Sequence, residues 1–504
     1  MSGIKKLTGQ TLWYGLPTIA SRFLGYLMNM ALPFFIDMPS KTADLVQVYT
    51  LIPFLNVLYA YGMETAYFRF SQTHDKQKLY NTLSLSMLTS SILFSIILLF
   101  CQDSIATATD LTHHRDFILW MIAIITIDNL NTLPFARLRQ ENRPRKYALA
   151  RIMGIVVNIA TVVFFMGIVP SILAKNPDNF LHLIYNKELG IGYYLVGNLF
   201  GSLFTLLVLS KEIKQVRFTF DLSLWKEVMK YSYPLIIVGL GGMVNDVLSR
   251  LIYRHVVHLP EEQANHELGV FANIFRLALL ITIMIQAFRM AAEPFFFNQS
   301  KSENAPATYA RIMKFFVIVC CFMFLGIGLF LDVLQWFFLT FSSKQWVEGF
   351  LAIPILALGN IFLGIYYNLS IWYKLTNKNL YGAMITIAGA AITIVLNILL
   401  IPKFHYYGAA WATFACYFFM MISSYWLGKK HFPVPYPVRK ISGYILFSVL
   451  AVVSHQLLVM QLNGNLLFSI SLGLLIILSF VVVVGRLEKK EISTIPFLAR
   501  LYKK

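Results

Sequence analysis

Apolar residues gather along this chain in blocks of roughly 20 or more, each long enough to cross a hydrocarbon core of about 30 Å. Short polar stretches separate them. The blocks predict fourteen helical spans, near residues 11–36, 44–68, 80–101, 116–137, 147–169, 190–210, 230–255, 268–292, 310–331, 347–373, 380–401, 406–428, 441–461 and 465–485. The first block lacks the short apolar core and small-residue cleavage site of a signal peptide, so it reads as a retained helix. The expected class is an all-α polytopic membrane protein.

No connection is long enough to fold by itself; the longest are residues 170–189 and 211–229. The second, KEIKQVRFTFDLSLWKEVM, mixes cations with Val216, Phe218, Phe220, Leu222, Leu224 and Trp225 and could lie amphipathically on a membrane surface. It divides residues 1–210, with six spans, from residues 230–428, with the next six; residues 429–504 hold two more spans and a basic tail. The two six-span segments are weakly alike. WYGLP at the first span and KYSYP at the seventh share Tyr and Pro spacing (Tyr14 and Pro17, Tyr231 and Pro234), and Asn29 and Asp246 follow at one further offset. ARLRQENRPRKYALA after the fourth span and SIWYKLTNKNLYGA after the tenth both run from a basic residue through an Asn-containing turn to Tyr and a new apolar block. This pattern suggests a parallel duplication about an axis along the membrane normal.

Composition agrees with the pattern. The 504 residues are 58% hydrophobic and only 13% charged, with mean hydropathy +0.65, whereas soluble chains carry about 25% charged residues. The net charge of +18 could suggest nucleic acid, but most Lys and Arg fall on one side of the predicted spans. That is the inside bias of membrane proteins, with both termini cytoplasmic; no nucleic-acid module is present. Cys101, Cys320, Cys321 and Cys416 fall in spans without metal-ligand spacing and read as packing residues.

Charge inside the spans carries the candidate chemistry, because an ionisable residue at the helix centre costs roughly 2.5–3.5 kcal/mol on insertion scales and normally faces protein or water. Arg69, Arg137, Arg151 and Arg289 lie near cytoplasmic ends, where a long side chain can reach the headgroups; Arg69 also has Glu64 nearby. Arg22 lies near the middle of the first span on one face with Tyr26 and Asn29, and Asp128 of the fourth span is a potential partner. In MVNDVLSRLIYRH, Asp246, Arg250 and Arg254 fall at i, i+4 and i+8; Asn273 and Arg276 continue the polar set on the next span. Asp246 can neutralise only one of three cations expected in the outer half of the bilayer, which favours an anion-handling cavity. Arg254 is the one best placed to reach outer headgroups instead. Asn56, Asn158, Asn198, Gln286, Asn360, Asn368 and Asn397 suit interhelical hydrogen bonds in a wet interior.

The chain resembles bacterial polysaccharide transporters, the oligosaccharide-lipid flippases of the multidrug/oligosaccharidyl-lipid/polysaccharide exporter superfamily. The resemblance rests on KKLTGQTLWYGLPTIASRFLGY, YGMETAYFRF, LRQENRPRKYALARI and FRMAAEPFFF in that order and spacing. It implies two six-helix lobes in pseudo-twofold arrangement around a central cavity, with two C-terminal helices added and alternating access. It also implies an undecaprenyl-diphosphate-linked oligosaccharide as cargo, moved across the bacterial cytoplasmic membrane for O-antigen, capsule or exopolysaccharide assembly. Membrane lipids, a coupling proton or sodium ion and polysaccharide assembly proteins are the implied partners, with no cofactor. Cavity arginines would hold the diphosphate: Arg22 and Arg276 occupy spans where related flippases place them, whereas Arg250 and Arg254 rest on the charge argument. Guanidinium suits the task through its planar, permanently charged fork. The competing readings are a cation-coupled multidrug exporter, which would use Asp128 and Asp246, and a membrane polymerase or glycosyltransferase. The second is disfavoured by short external loops that gather no acid–base constellation.

Overall fold

The computed structural model describes residues 20, 23–28, 30–141, 143–299, 302–376, 378–462 and 464–489; Arg22 and Asn29 lie outside them. The described residues form helices and no strand. The helices are α1 (Phe23–Phe35), α2 (Pro39–Phe70), α3 (Lys76–Phe100), α4 (Arg115–Gln140), α5 (Pro144–Lys175), α6 (Lys187–Val208) and α7 (Leu222–Leu251). They continue with α8 (Glu261–Gln299), α9 (Ala305–Gly328), α10 (Lys344–Leu375), α11 (Asn379–His431), α12 (Val438–Gln461) and α13 (Leu466–Leu487). Twelve of these, α2 to α13, are long and apolar enough to cross a membrane. α11 is broken at His405, whose φ of 55° no helix interior adopts, so it holds two of the predicted spans. With the shorter apolar helix α1 added, the count is roughly that of the fourteen predicted spans.

Local chemistry explains the ends. Asp75, Asp221 and Asn465 cap α3, α7 and α13 by accepting from main-chain N–H groups of the first turn. Pro144 opens α5, where its missing N–H costs nothing. α2 is interrupted at Tyr61 and Gly62, both at positive φ. The turns after α4 and α10 close alike: Arg143 N–H donates to Leu138 O at 2.9 Å, and Lys378 N–H to Tyr373 O at 2.8 Å. The two similar sequences therefore build the same six-to-one turn.

The chain divides into two compact units. The first comprises Met1–Arg276 and Ala383–Cys416; the second comprises Leu277–Gly382 and Tyr417–Lys504. In the first unit α5 and α6 pack closely because both present glycine: a Cβ on Gly201 would stand 2.6 Å from Gly154 O, and one on Gly197 would stand 2.6 Å from Val162. α4 packs on α3, α2 and α6, and α7 on α2. α7 begins at Leu222, so part of the stretch read as a surface linker is its first turns, with Leu224 and Val228 buried beside Tyr67 and Tyr80. Ahead of it, residues 215–221 run along α3: Arg217 N–H and Thr219 Oγ1 bond Asn81, and Asp221 pairs with Lys78. Lys78, Ser223 and the Leu224 N–H hold the Asp221 carboxyl well below the usual carboxylate range. In the second unit α9 packs on α10 and α12. Lys314, Lys440 and Tyr444 converge on Glu488 just past α13 (2.5, 2.9 and 2.8 Å). Burial alone would raise the Glu488 carboxyl, but these three donors hold it below its ordinary value. The four cysteines are free, and Cys101 is exposed rather than packed.

Candidate functional site

Two of the predicted cations come together in the first unit. Arg250, in the last turn of α7, stacks its guanidinium on Phe275 of α8 at 4.2 Å from the ring centroid and donates Nη2–H to the Asp246 carbonyl at 3.1 Å. Arg276, next to Phe275, has Tyr194 of α6 and Arg250 as its electrostatic neighbours. Its Nη1 is buried without a hydrogen-bond partner. The two guanidiniums lie within electrostatic range of each other. Asn273, a turn earlier on α8, is buried, and Asp246 sits on an exposed part of α7.

Arg254 is placed differently. α7 ends at Leu251, and Arg254 sits in the following turn, Tyr253–Val256. It donates to Asp44 Oδ1 at 2.6 Å and to the carbonyls of Asp110 and Thr109 at 3.0 and 3.4 Å. The neighbouring contacts are of the same kind: His255 lies 3.6 Å from Asp110, His114 3.7 Å from Asp44, and Tyr253 and His405 both meet Glu267. Arg254 is thus part of a tether between helix ends, and its charge is already met.

A second polar region lies within α2, α4, α5 and α6. It is a cavity of about 490 Å³, lined among others by Asn56, Asp128, Asn131, Arg151, Asn158 and Asn198. Asp128 accepts from Ser202 Oγ at 2.6 Å and makes no ion pair with a described residue. Arg151 is within electrostatic range of it, with its guanidinium stacked on Phe135 at 4.1 Å. Glu64, also lining the cavity, pairs with Arg139, and Arg69 lies over the Tyr231 ring at 4.3 Å. The expected Asn hydrogen bonds are present in part: Asn198 donates to Tyr49 Oη at 2.9 Å, and, in the second unit, Asn360 to Ala278 O at 3.0 Å.

Several of these residues were not singled out by sequence reasoning. Arg151 reads as a snorkelling residue because it stands near a span end, yet it lines the cavity. Asn129 and Asn131 follow Asp128 on α4 and also line the cavity. A recurrent device also escaped: Arg69, Arg151, Arg250 and Arg289 each lie on an aromatic ring, at 4.1–4.8 Å. Such stacking stabilises a desolvated cation by about 0.5–2 kcal/mol. Aromatic residues make up 15% of the chain, so proximity in sequence could not identify the partners. Among the described residues no group of His, Cys, Asp and Glu could hold a metal ion.

The structure is similar to that of the lipid II flippase MurJ in an inward closed conformation (TM-score 0.71, 15% identity, covering 94% of this chain and 98% of that one). It is also similar to an inward-facing multidrug resistance transporter of the MATE family in the MOP superfamily (TM-score 0.60, 15% identity, 83% and 94% covered). A third similar structure is a variant of the Vibrio cholerae MATE transporter VcmN (TM-score 0.60, 11% identity, 85% and 98% covered). At these identities the likeness establishes the fold, and no curated protein sequence matches the chain. The profile of the polysaccharide biosynthesis protein family matches residues 7–300. This multi-pass membrane protein, with the helical fold shared by flippases and multidrug transporters, belongs to the polysaccharide biosynthesis protein family.

Proposed function

We propose that the protein is a flippase that moves an undecaprenyl-diphosphate-linked oligosaccharide from the inner to the outer leaflet of the bacterial cytoplasmic membrane. The carried unit would feed a surface polysaccharide. The observation that carries this reading is the Arg250–Arg276 pair, with a buried guanidinium nitrogen of Arg276 left without a partner. A diphosphate would supply an acceptor for that nitrogen and a negative charge beside the two guanidiniums. Arg22 and Asn29 of the first span are assigned to the same cargo path, whereas Arg254 is assigned to the tether with Asp44. Residues 1–210 and 230–428 would be the two moving lobes, both termini cytoplasmic, with a proton or sodium ion and assembly proteins as further partners.

Family membership and the similarity to a lipid II flippase support this reading. One observation favours the multidrug-exporter alternative: Asp128 is an acid without an ion pair to a described residue, a feature that suits a cationic cargo. The two neighbouring guanidiniums of Arg250 and Arg276 favour an anionic cargo over it. Expression in a strain lacking its own flippase tests the proposal. The protein should clear the accumulated lipid-linked sugar and restore surface polysaccharide, and the Arg276→Ala protein should do neither. A wild-type protein that inserts but leaves the intermediate in place would refute it.

A further inference from the structure

The segment that joins α6 to α7 is fastened along the first two turns of α3. Tyr80 Oη donates to the Glu212 carbonyl at 3.2 Å, and Gln77 Nε2 donates to the Gln215 carbonyl at 3.0 Å. Asn81 accepts from the Arg217 N–H at 3.1 Å and donates to Thr219 Oγ1 at 2.8 Å. Thr82 Oγ1 accepts from the Asp221 N–H at 3.2 Å. These contacts fix the segment without using the rings of its two phenylalanines. Phe218 is 89% exposed and Phe220 49% exposed, the second leaning on Trp225 at 6.3 Å between ring centroids. Trp225 is itself held, its Nε1–H donating to Ser86 Oγ at 2.8 Å.

The charges of the segment are sorted in the same way. Its two acids are already met: Glu212 by Arg143 and Lys146, and Asp221 by Lys78. Lys211, Lys214 and Arg217 are exposed and make no ion pair with a described residue. A fixed surface thus joins exposed aromatic rings to cations, the composition of a protein face that lies in a membrane interface. Its depth agrees. The exposed large apolar residues of α3 begin at Leu88, about 9 Å along the helix axis from Thr82. Phe218 and Phe220 therefore stand at the edge of the lipid-facing belt, where headgroups meet acyl chains.

We propose that residues 211–220 form a site for anionic phospholipid. Phe218 and Phe220 enter the headgroup–acyl boundary, and Lys211, Lys214 and Arg217 take the phosphates of lipids with a net negative headgroup, such as phosphatidylglycerol. In the orientation proposed above this is the inner leaflet, whose surface is negatively charged. The site takes lipid of the bilayer and not cargo, so it is independent of the flippase reading. Through α3 it holds the joint between α6 and α7 at one depth in the membrane.

A spin label on the full-length protein tests both parts. Phe218→Cys supplies its position, with Cys101→Ser removing the exposed native cysteine; the other three cysteines are buried. In mixed nanodiscs of phosphatidylcholine and phosphatidylglycerol the label should be reached by oxygen and shielded from a water-soluble nickel chelate. Phe220→Cys, which leaves Phe218 intact, should report the same depth. Labels open to the chelate at both positions overturn the proposal and leave the segment to water or a protein partner. Titration of each lipid into the labelled protein in detergent then reads affinity at this site. Phosphatidylglycerol should immobilise the label at lower concentration than phosphatidylcholine. Lys211→Gln, Lys214→Gln and Arg217→Gln together should raise the phosphatidylglycerol midpoint about tenfold or more, while the Arg217 main-chain bond to Asn81 is kept. An unchanged midpoint in that variant, or equal response of the wild type to the two lipids, overturns the role of the cations.

Discussion

Replacing Arg254 by alanine removes three hydrogen bonds at once and takes the guanidinium from the carboxylate of Asp44, leaving His114 at 3.7 Å. The guanidinium side chain is 5% exposed and meets Asp44, which is 23% exposed, at 2.6 Å; two main-chain carbonyls take its other hydrogens. A hydrogen bond to a charged group contributes about 1.5–3 kcal/mol, and breaking a fully buried ion pair costs about 3–5 kcal/mol. Asp44 keeps some solvent, so Arg254→Ala should cost about 2–3 kcal/mol, towards the lower of those ranges. In a double-mutant cycle with Asp44→Asn, the coupling energy should be about 2 kcal/mol, far above the 0.5 kcal/mol or less of independent sites. The cycle is read from unfolding in detergent, followed by tryptophan fluorescence, without substrate. Coupling below about 0.5 kcal/mol, together with loss of undecaprenyl diphosphate binding on Arg254→Ala, would refute the tether and return Arg254 to the cargo site.

Other expectations follow from the same contacts. Arg276→Ala should lose most transport while inserting and unfolding like the wild type; Arg276→Lys should retain part of it, because a lysine keeps the charge but not the fork, and transport assays on both decide. Gly201→Val should drive a side chain into Gly154, where a Cβ already comes within 2.6 Å of the carbonyl oxygen. It should destabilise the protein by about 1–3 kcal/mol, seen as a lower unfolding midpoint; an unchanged midpoint would contradict the close α5–α6 packing. The depressed Glu488 carboxyl predicts an acid-sensitive contribution. Because its folded value lies below the unfolded one of about 4.3, the stabilisation is complete above that pH and fades as pH falls through the folded value. Glu488→Gln should lower stability at pH 7 and reduce the loss between pH 5 and pH 3 relative to the wild type.

The helices were legible because span length and apolar content are written locally. The breaks were less so. Pro402 precedes His405, but the positive φ falls on a histidine, a residue that no turn rule singles out there. In the candidate site, periodicity correctly put Asp246 and Arg250 on one helix and marked Asn273 and Arg276 on the next. It could not say that the helix stops at Leu251 and aims Arg254 at Asp44, a partner 210 positions away. Nor could it separate a cation that reaches headgroups from one that lines a cavity, as Arg151 does, since both stand near a span end. A period reports which face a side chain takes; the neighbour on that face depends on which helices pack together. That pairing is set here by small contacts such as Gly154 on Gly201.

The most direct measurement is reconstitution of the purified protein in liposomes with undecaprenyl-diphosphate-linked oligosaccharide supplied to one leaflet. The account predicts that the lipid-linked sugar reaches the opposite leaflet chemically unchanged, and that the Arg276→Ala protein leaves it where it was. A lengthened glycan, or sodium- or proton-driven efflux of a cationic dye with no movement of the lipid-linked sugar, would contradict it.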